Sequence, residues 1–248
     1  MLLTKSNVLL GRTPTVVAGA STDDPENIVN PDFSSNYTGI NKNVLTIDFG
    51  ATAEINYVSL AGILLAGNGS GSSVITIQNG NAFVASATVS RNNCYLVSFE
   101  SQTFSNLRVK LTNGTNDLEP TISFAAAGVA FTVPNGGETV GYGRHWLNRP
   151  IKTKTTTNNL AAPVAILRKP VALKGALNLP NMTAAFSQGE YQDFLDFAVV
   201  DLFFINEDPL LPESTYCCFE ITPTPPKAHA QTRSLNNLSF SFKVFSGL

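Results

Sequence analysis

Charged residues are scarce in this sequence. Lys, Arg, Asp and Glu make up 14% of its 248 residues, and 16 basic residues nearly balance 18 acidic ones, whereas globular proteins usually carry about 25% charged residues. A net charge of −2 gives no positive field to gather phosphates, so nucleic acid is not expected as a partner. The hydrophobic fraction of 43% suffices for a folded core, and the weakly charged surface favours packing against other proteins.

Long apolar runs and paired cysteines are also missing. The longest nearly apolar run, residues 124–131, falls far short of the ~20 residues that span a bilayer, so we predict a buried strand and no membrane insertion. Polar residues follow Met1 closely, which predicts no export signal. The 3 cysteines, Cys94, Cys217 and Cys218, favour no disulfide framework. The adjacent pair should point to opposite faces of a strand, with one thiol buried and one exposed.

Signatures of catalytic, metal and cofactor sites are absent from the sequence. The 2 histidines, His145 and His229, lie far apart, and no Cys-x-x-Cys or His-x-x-x-His spacing occurs. No nucleophile elbow, phosphate loop or dinucleotide fingerprint is present. We therefore expect no catalytic residues, no metal and no cofactor. An enzyme is kept as the third alternative, because a β-sandwich readily accommodates paired carboxylates.

Short strands separated by turn residues dominate the first 134 residues. Leu45, Ile47 and Phe49 alternate with polar residues, as in a strand with one buried face, and no stretch shows helical spacing. The pattern predicts an antiparallel β-sandwich over residues 1–134. Its further strands are expected at 55–60, 74–78, 95–99, 107–111 and 122–133.

The pattern breaks at residues 134–137, and the residues after the break are richer in Lys, Arg and Thr. We predict a linker or extended segment at 135–160 and a smaller α+β domain with one main helix at 161–248. Its strands are expected at 164–167, 171–173, the end of 199–205, 215–221 and 238–245, with the proline-rich residues 222–226 separating the last two.

The main helix is predicted from its cap and its spacing. Ser187 and Glu190 have the spacing of a capping box, in which each side chain bonds the other's backbone amide. The residues that follow recur at i, i+3, i+4 and i+7, as one buried helix face requires. These residues are Tyr191, Phe194, Leu195 and Ala198.

The order of segments in the first half follows a recognisable pattern: residues 18–22 and 27–33, then a polar loop, then strands at 43–50 and 55–60. This order resembles the discoidin-like, galactose-binding-type β-sandwich, which is a jelly roll. The resemblance implies a mainly β fold whose loops at one end bind sugars. Sugar sites pair an aromatic face with planar polar groups. The glycan site expected on this basis consists of Asn36, Tyr37, Arg91 and Asn92.

The whole chain resembles components of tailed-bacteriophage particles, of the tail-tip, baseplate or connector kind. The likeness rests on low charge, abundant Asn, Ser, Thr and Gly, the leading sandwich, and a closing α+β module that ends in strand 239–245. It implies a virion structural protein, made in the host bacterial cytoplasm, that assembles with itself as a homo-oligomer and with other virion proteins. The alternative is a carbohydrate-binding module that attaches a particle or an enzyme to a surface glycan.

Two groups of residues are candidates for a subunit interface. Arg144, Trp146 and Arg149 combine cations with the single Trp, and such residues anchor interfaces, although packing of Trp146 between the two domains explains them equally well. The second group lies on both faces of the last strand, and a strand that is apolar on both faces needs cover on both. This group is Phe240, Phe242 and Phe245.

An acidic cluster lies before the first polar loop. Carboxylates and carbonyls in such loops hold a structural calcium in some proteins, and a solvated loop is the alternative. The cluster consists of Asp23, Asp24, Glu26, Asn30 and Asp32.

Overall fold

The protein is mainly β, as predicted: an antiparallel β-sandwich is followed by a smaller α+β part. No helix in the described part of the chain is long and apolar enough to cross a membrane. The computed structural model describes residues 1–18, 20–21, 23–31, 37–40, 44–66, 73–89, 94–112, 119–134, 151–157, 163–170, 173–228 and 235–245.

Two facing sheets form the sandwich, with strands numbered along the chain. The larger sheet contains, in spatial order, β2 (Thr15–Ala18), β5 (Val44–Asp48), β11 (Leu107–Thr112), β8 (Ser73–Asn79) and β9 (Ala82–Val89). The smaller sheet contains β10 (Tyr95–Phe104), β6 (Ala53–Ala61) and β13 (Phe124–Gly128). Short strands at the margin are β3 (Ala20–Ser21), β4 (Tyr37–Ile40), β12 (Glu119–Ile122) and β7 (Leu64–Ala66).

A six-stranded antiparallel sheet forms most of the C-terminal part. It contains, in spatial order, β14 (Ala130–Thr132), β1 (Leu2–Thr4), β18 (Phe203–Asn206), β19 (Thr215–Ala228), β20 (Leu235–Val244) and β17 (Leu173–Thr183). Leu3 pairs with Phe131 on one side and with Ile205 on the other. Two strands from before residue 134 therefore belong to the C-terminal sheet, which modifies the simple division predicted at that residue.

A hairpin lies partly where the linker at 135–160 is predicted. It consists of β15 (Ile151–Thr157) and β16 (Pro163–Pro170), which pair with each other. The rest of the predicted linker lies outside the described residues.

The three-stranded sheet of the sandwich is buried on both faces over β13, the second half of β6 and the first residues of β10. In β13, Ala125 and Ala127 pack into the sandwich core, whereas Phe124 and Ala126 pack toward the six-stranded sheet. Every residue of β13 is buried, which confirms the buried strand predicted there. The predicted strand 122–133 is nevertheless split into β12, β13 and β14, each in a different sheet.

The helices cover the other face of the six-stranded sheet. They are α1 (Ala184–Gln188) and α2 (Glu190–Ala198). Tyr191, Phe194 and Ala198 are buried and Leu195 is partly buried, so the predicted helix face is confirmed.

The predicted capping box at Ser187 and Glu190 is wrong. The helical segment begins earlier, where Thr183 Oγ1 accepts a hydrogen bond from the Phe186 amide at 3.2 Å. Ser187 lies inside α1 and its hydroxyl donates to the Thr183 carbonyl at 2.9 Å. Gly189 then separates the helices, so Glu190 begins α2 without capping Ser187.

The proline-rich residues 222–226 lie inside β19 and do not separate two strands as predicted. The described ladder between β18 and β19 ends at the Phe203–Cys218 pair, so beyond Cys218 only β20 pairs with β19. Among the described strands, that side of β19 is an edge of the sheet. Proline lacks a backbone N–H and is tolerated at a sheet edge, where no ladder bond is lost.

Cys217 and Cys218 point to opposite faces of β19, as predicted. Both are fully buried, because Cys217 packs toward the sandwich and Cys218 toward the helices. The prediction of one exposed thiol is therefore wrong. All three cysteines are free thiols, and burial raises the pKa of Cys217 and Cys218 well above the ordinary value.

Phe194 lies at the centre of an aromatic cluster between α2 and the six-stranded sheet. Its ring centroid lies 5.3 Å from that of Phe240 and 5.4 Å from that of Phe203. It also lies 6.2 Å from the ring of Phe131 on β14. This one side chain thus packs against strands from both parts of the chain.

We expect Phe194→Ala to lower the free energy of unfolding by about 3–5 kcal/mol, because it empties a packed site. Phe83→Ala makes the same chemical change at a ring that is 66% exposed, and it should cost under about 1 kcal/mol. Urea unfolding of both variants measures the difference. Equal losses would contradict the cluster's role in stability.

Candidate functional site

Phe240 and Phe242 are covered by this chain itself. They are 1% and 2% exposed, and Phe245 packs partly buried against the layer between the sandwich and the six-stranded sheet. The premise that these residues need cover from another subunit is therefore wrong, because the helices and the sandwich supply it. Homo-oligomerisation loses this support and stays a prediction.

The other predicted site residues divide into buried and undescribed ones. Tyr37 pairs with Ile122 and is fully buried in the sandwich core, so its ring presents no face to a sugar, contrary to expectation. Asn36, Arg91 and Asn92 lie outside the described residues. Arg144, Trp146 and Arg149 also lie outside them, so the interface role of that group stays a prediction.

The acidic residues near the first polar loop hold the backbone in place. Asp23 Oδ2 accepts from the Thr38 amide at 2.8 Å. Asp24 Oδ1 accepts from the Glu26 amide at 3.0 Å and caps a 3₁₀ helix, Pro25–Ile28. Within the described ranges, no three His, Cys, Asp or Glu residues are placed to hold a metal ion. Asp32 lies outside those ranges.

A second polar cluster joins the turns at one end of the sandwich. Asp48 Oδ2 accepts from Arg108 Nε and from Asn106 Nδ2, each at 2.8 Å. Asp48 Oδ1 accepts from the Gly50 amide at 2.9 Å. Burial alone would raise the pKa of Asp48, but these bonds and the Arg108 charge outweigh it and hold the pKa below its ordinary value. The cluster stabilises the turns and offers no open site.

This cluster makes the stability of the fold depend on pH in the acidic range. The pKa of Asp48 is lower in the folded state than in the unfolded state. Its ionised carboxylate therefore adds to the free energy of unfolding above the ordinary pKa of 3.8, and this stabilisation is lost as pH falls through the folded-state pKa. When urea unfolding is measured from pH 5 downward, the free energy of unfolding should fall less for Asp48→Asn and for Arg108→Gln than for the unaltered protein. Lys110→Gln on the same strand serves as the control. Parallel curves for all four proteins would contradict this role.

The six-stranded sheet has one open face where the sandwich does not cover it. There β17, β20 and the second half of β19 present alternate residues to solvent, while Leu177, Leu238 and Phe240 pack toward the helices. The strand register arranges the outward residues in rows. We call these rows the polar face: Asn178, Ser239 and Thr224; Ala176, Ser241 and Thr222; Lys174, Lys243 and Phe219.

Two β-bulges flank β20 at the end of the polar face away from the sandwich. The register shifts between Leu179 and Met182 in β17, and between Thr224 and Lys227 in β19. Asn181 has φ 59° within the first bulge, and its amide donates to Asn237 Oδ1 at 3.1 Å. A bulge bends its strand and re-aims its side chains. Bulges on both sides of β20 therefore open a depression between the three strands.

This depression, the distal groove, has a volume of about 330 Å³. That volume is at the lower end of the range of about 300–1,000 Å³ found for small-molecule sites. No described residue of the lining is acidic, and most offer amides, hydroxyls or proline rings. The lining consists of Asn178, Leu179, Pro180, Thr224, Pro225, Lys227, Asn237, Leu238 and Ser239.

The distal groove cannot be predicted from the sequence alone. The alternation of Ser239, Ser241 and Lys243 with apolar residues predicts a strand with one polar face, and that signal is present. The bulges leave no comparable signal, because register is set between strands that are distant in sequence.

Comparison with known proteins yields likenesses to half of the chain. No protein-family model and no curated protein matches it. Chitosan-binding module 1 of a chitosanase/glucanase from Paenibacillus sp. IK-5 is 18% identical, with a TM-score of 0.40 over 50% of this chain and 99% of the module. A fucose-binding module of Streptococcus pneumoniae is 9% identical, with a TM-score of 0.40 over 50% of this chain and 98% of the module.

A third likeness is to the CBM32 of AlyQ in complex with 4,5-unsaturated mannuronic acid. It is 20% identical, with a TM-score of 0.35 over 46% of this chain and 92% of that one. These neighbours are carbohydrate-binding modules. At TM-scores of this size the likeness assigns no function to the chain.

Proposed function

We propose that this chain is a non-catalytic carbohydrate-binding protein whose glycan occupies the distal groove. The observation that carries the proposal is the groove itself. It is a concave site of about 330 Å³ in which amides, hydroxyls and one ammonium group converge beside two proline rings.

The chemistry of the lining suits a sugar. Sugar hydroxyls both donate and accept hydrogen bonds, and so do the amides of Asn178 and Asn237 and the hydroxyls of Thr224 and Ser239. The rings of Pro180 and Pro225 add apolar surface against which the C–H groups of a sugar can pack.

The same lining favours binding over cleavage. Most glycosidases use two carboxyl groups on either side of the scissile bond. Among the described residues that line the distal groove, none carries a carboxyl group, and Lys227 is the one with a titratable side chain. The described lining can therefore hold a glycan but supplies no acid and base pair to hydrolyse it.

Asn178→Ala tests the proposal. We expect the full-length protein to bind members of a glycan array, and Asn178→Ala to weaken that binding about 5- to 10-fold, the effect of one lost hydrogen bond. Asn178 is exposed, so the substitution should not change the free energy of unfolding of the protein. Calorimetry with the array-selected glycan measures the affinity.

Gln102→Ala is the matched control, because it removes an exposed amide from β10 in the sandwich. It should leave affinity unchanged. A blank array for the folded protein would overturn the proposal. Binding that is insensitive to Asn178→Ala would move the site away from the groove, and Arg91 and Asn92 would then be the next residues to test.

Assembly into a virus particle is the second candidate. The likenesses to known structures do not bear on it, and the location in a virion stays a prediction. One observation favours association: β9 pairs with β8 alone among the described strands, and it carries no charged residue and no proline. Such unprotected edges pair readily with other strands.

Light scattering tests this second candidate. We expect concentration-dependent association of the intact protein, and its loss in Ser86→Lys, which places a charge on the exposed edge strand. A monomer at high micromolar concentration would count against a role in particle assembly.

A further inference from the structure

The polar face carries positive charge at both of its ends. Lys227 lines the distal groove at one end, and Lys174 and Lys243 lie at the other. The register places Lys174 directly opposite Lys243. Like charges in that arrangement repel one another and destabilise the pairing of the strands. The end near the sandwich therefore holds a cation pair that an anion would relieve.

Only part of this charge is neutralised within the chain. Lys243 forms an ion pair with Glu220, and its Nζ lies 6.0 Å from the centroid of the Phe219 ring. Among the described residues no ion pair includes Lys174 or Lys227, and both are exposed. Among the described residues of this face, three lysines against Glu220 leave a charge of +2, in a chain whose net charge is −2.

The surface between the two ends is small and uncharged. Ser239 and Ser241 lie along β20, with Thr222 and Ala176 on either side. Asn237 and Lys243 are six residues apart on one strand, which corresponds to about 20 Å at 3.4 Å per residue. This track is too long for a single sugar ring, and it offers hydroxyls along its length.

We infer that the ligand is a linear, anionic oligosaccharide that lies along β20, with acidic groups near Lys227 and near Lys174. The inference rests on the proposed function and names its substrate class. Carboxylates of uronic acids and sulfate esters supply the same charge, so the shared chemistry is that of an acidic polysaccharide.

Matched ligands test the inference. The probes are uronic-acid oligomers of two, four and six units with their neutral methyl esters, and sulfated oligosaccharides with their desulfated forms. We expect the acidic member to bind at least about 10-fold more tightly at low salt, with a gap that narrows as salt screens the charges. The hexamer should bind more tightly than the dimer. Preference for the uronic or the sulfated series identifies the source of the charge.

Substitutions locate the charges. Lys174→Gln and Lys227→Gln should each weaken binding of the acidic hexamer about two- to fivefold, as expected for exposed ion pairs, and leave the neutral form unaffected. Lys110→Gln on β11 removes a lysine from the sandwich and should change nothing.

Three results would overturn the inference, and they differ in what they mean for the proposed function. In the first, the protein binds acidic and neutral forms equally and Asn178→Ala weakens both. The glycan site would then stand, but without a preference for charge. An effect of Lys227→Gln but none of Lys174→Gln would restrict the ligand to the groove. No binding of any oligosaccharide by the folded protein would refute the inference and the proposed function together.

Discussion

Burial of β13 and the second half of β6 on both faces is the constraint on which the rest of the structure depends. A sandwich sheet usually has one face in water, but Tyr57, Leu96 and Phe124 on this sheet face another apolar layer. The ring of Phe124 stacks on that of Phe204 at 6.2 Å between centroids, so the C-terminal sheet supplies the missing cover. The buried Ser59 hydroxyl is satisfied within this layer, because it donates to the Tyr95 carbonyl at 2.8 Å. The two parts of the chain are therefore layers of one packed unit.

The sequence predicts those parts of the fold that depend on local periodicity. Alternation identified strands such as 45–49 and 107–111, and helical spacing identified the face of α2, because both patterns are written within a few neighbouring residues. The predictions that were wrong concern residues whose packing or pairing partners are distant in the sequence. Both thiols of Cys217 and Cys218 are buried because two separate layers cover one strand. Prolines occur within β19 because no described strand pairs with its far side, and no local signal reveals that edge.

The candidate site was less predictable for the same reason. A polar alternation at 239–243 is visible in the sequence, yet the groove exists because bulges in two other strands flank Asn237. Those bulges lie near residues 180 and 225, and only the completed sheet brings them together. Phe240 and Phe242 illustrate the converse case: apolar residues that suggest an interface are core residues once the helix covers them.

The position of β1 between β14 and β18 has a consequence for how the protein is made. The Phe204 amide donates to Thr4 Oγ1 at 2.8 Å, a buried contact between groups 200 residues apart in the chain. During synthesis β1 leaves the ribosome long before β18. The edge of β1 that pairs with β18 therefore stays unpaired while the intervening residues are translated. Native contacts of such separation slow folding and leave an exposed edge during that interval. The nascent chain is thus most prone to wrong pairing of β1 in the interval before β18 emerges.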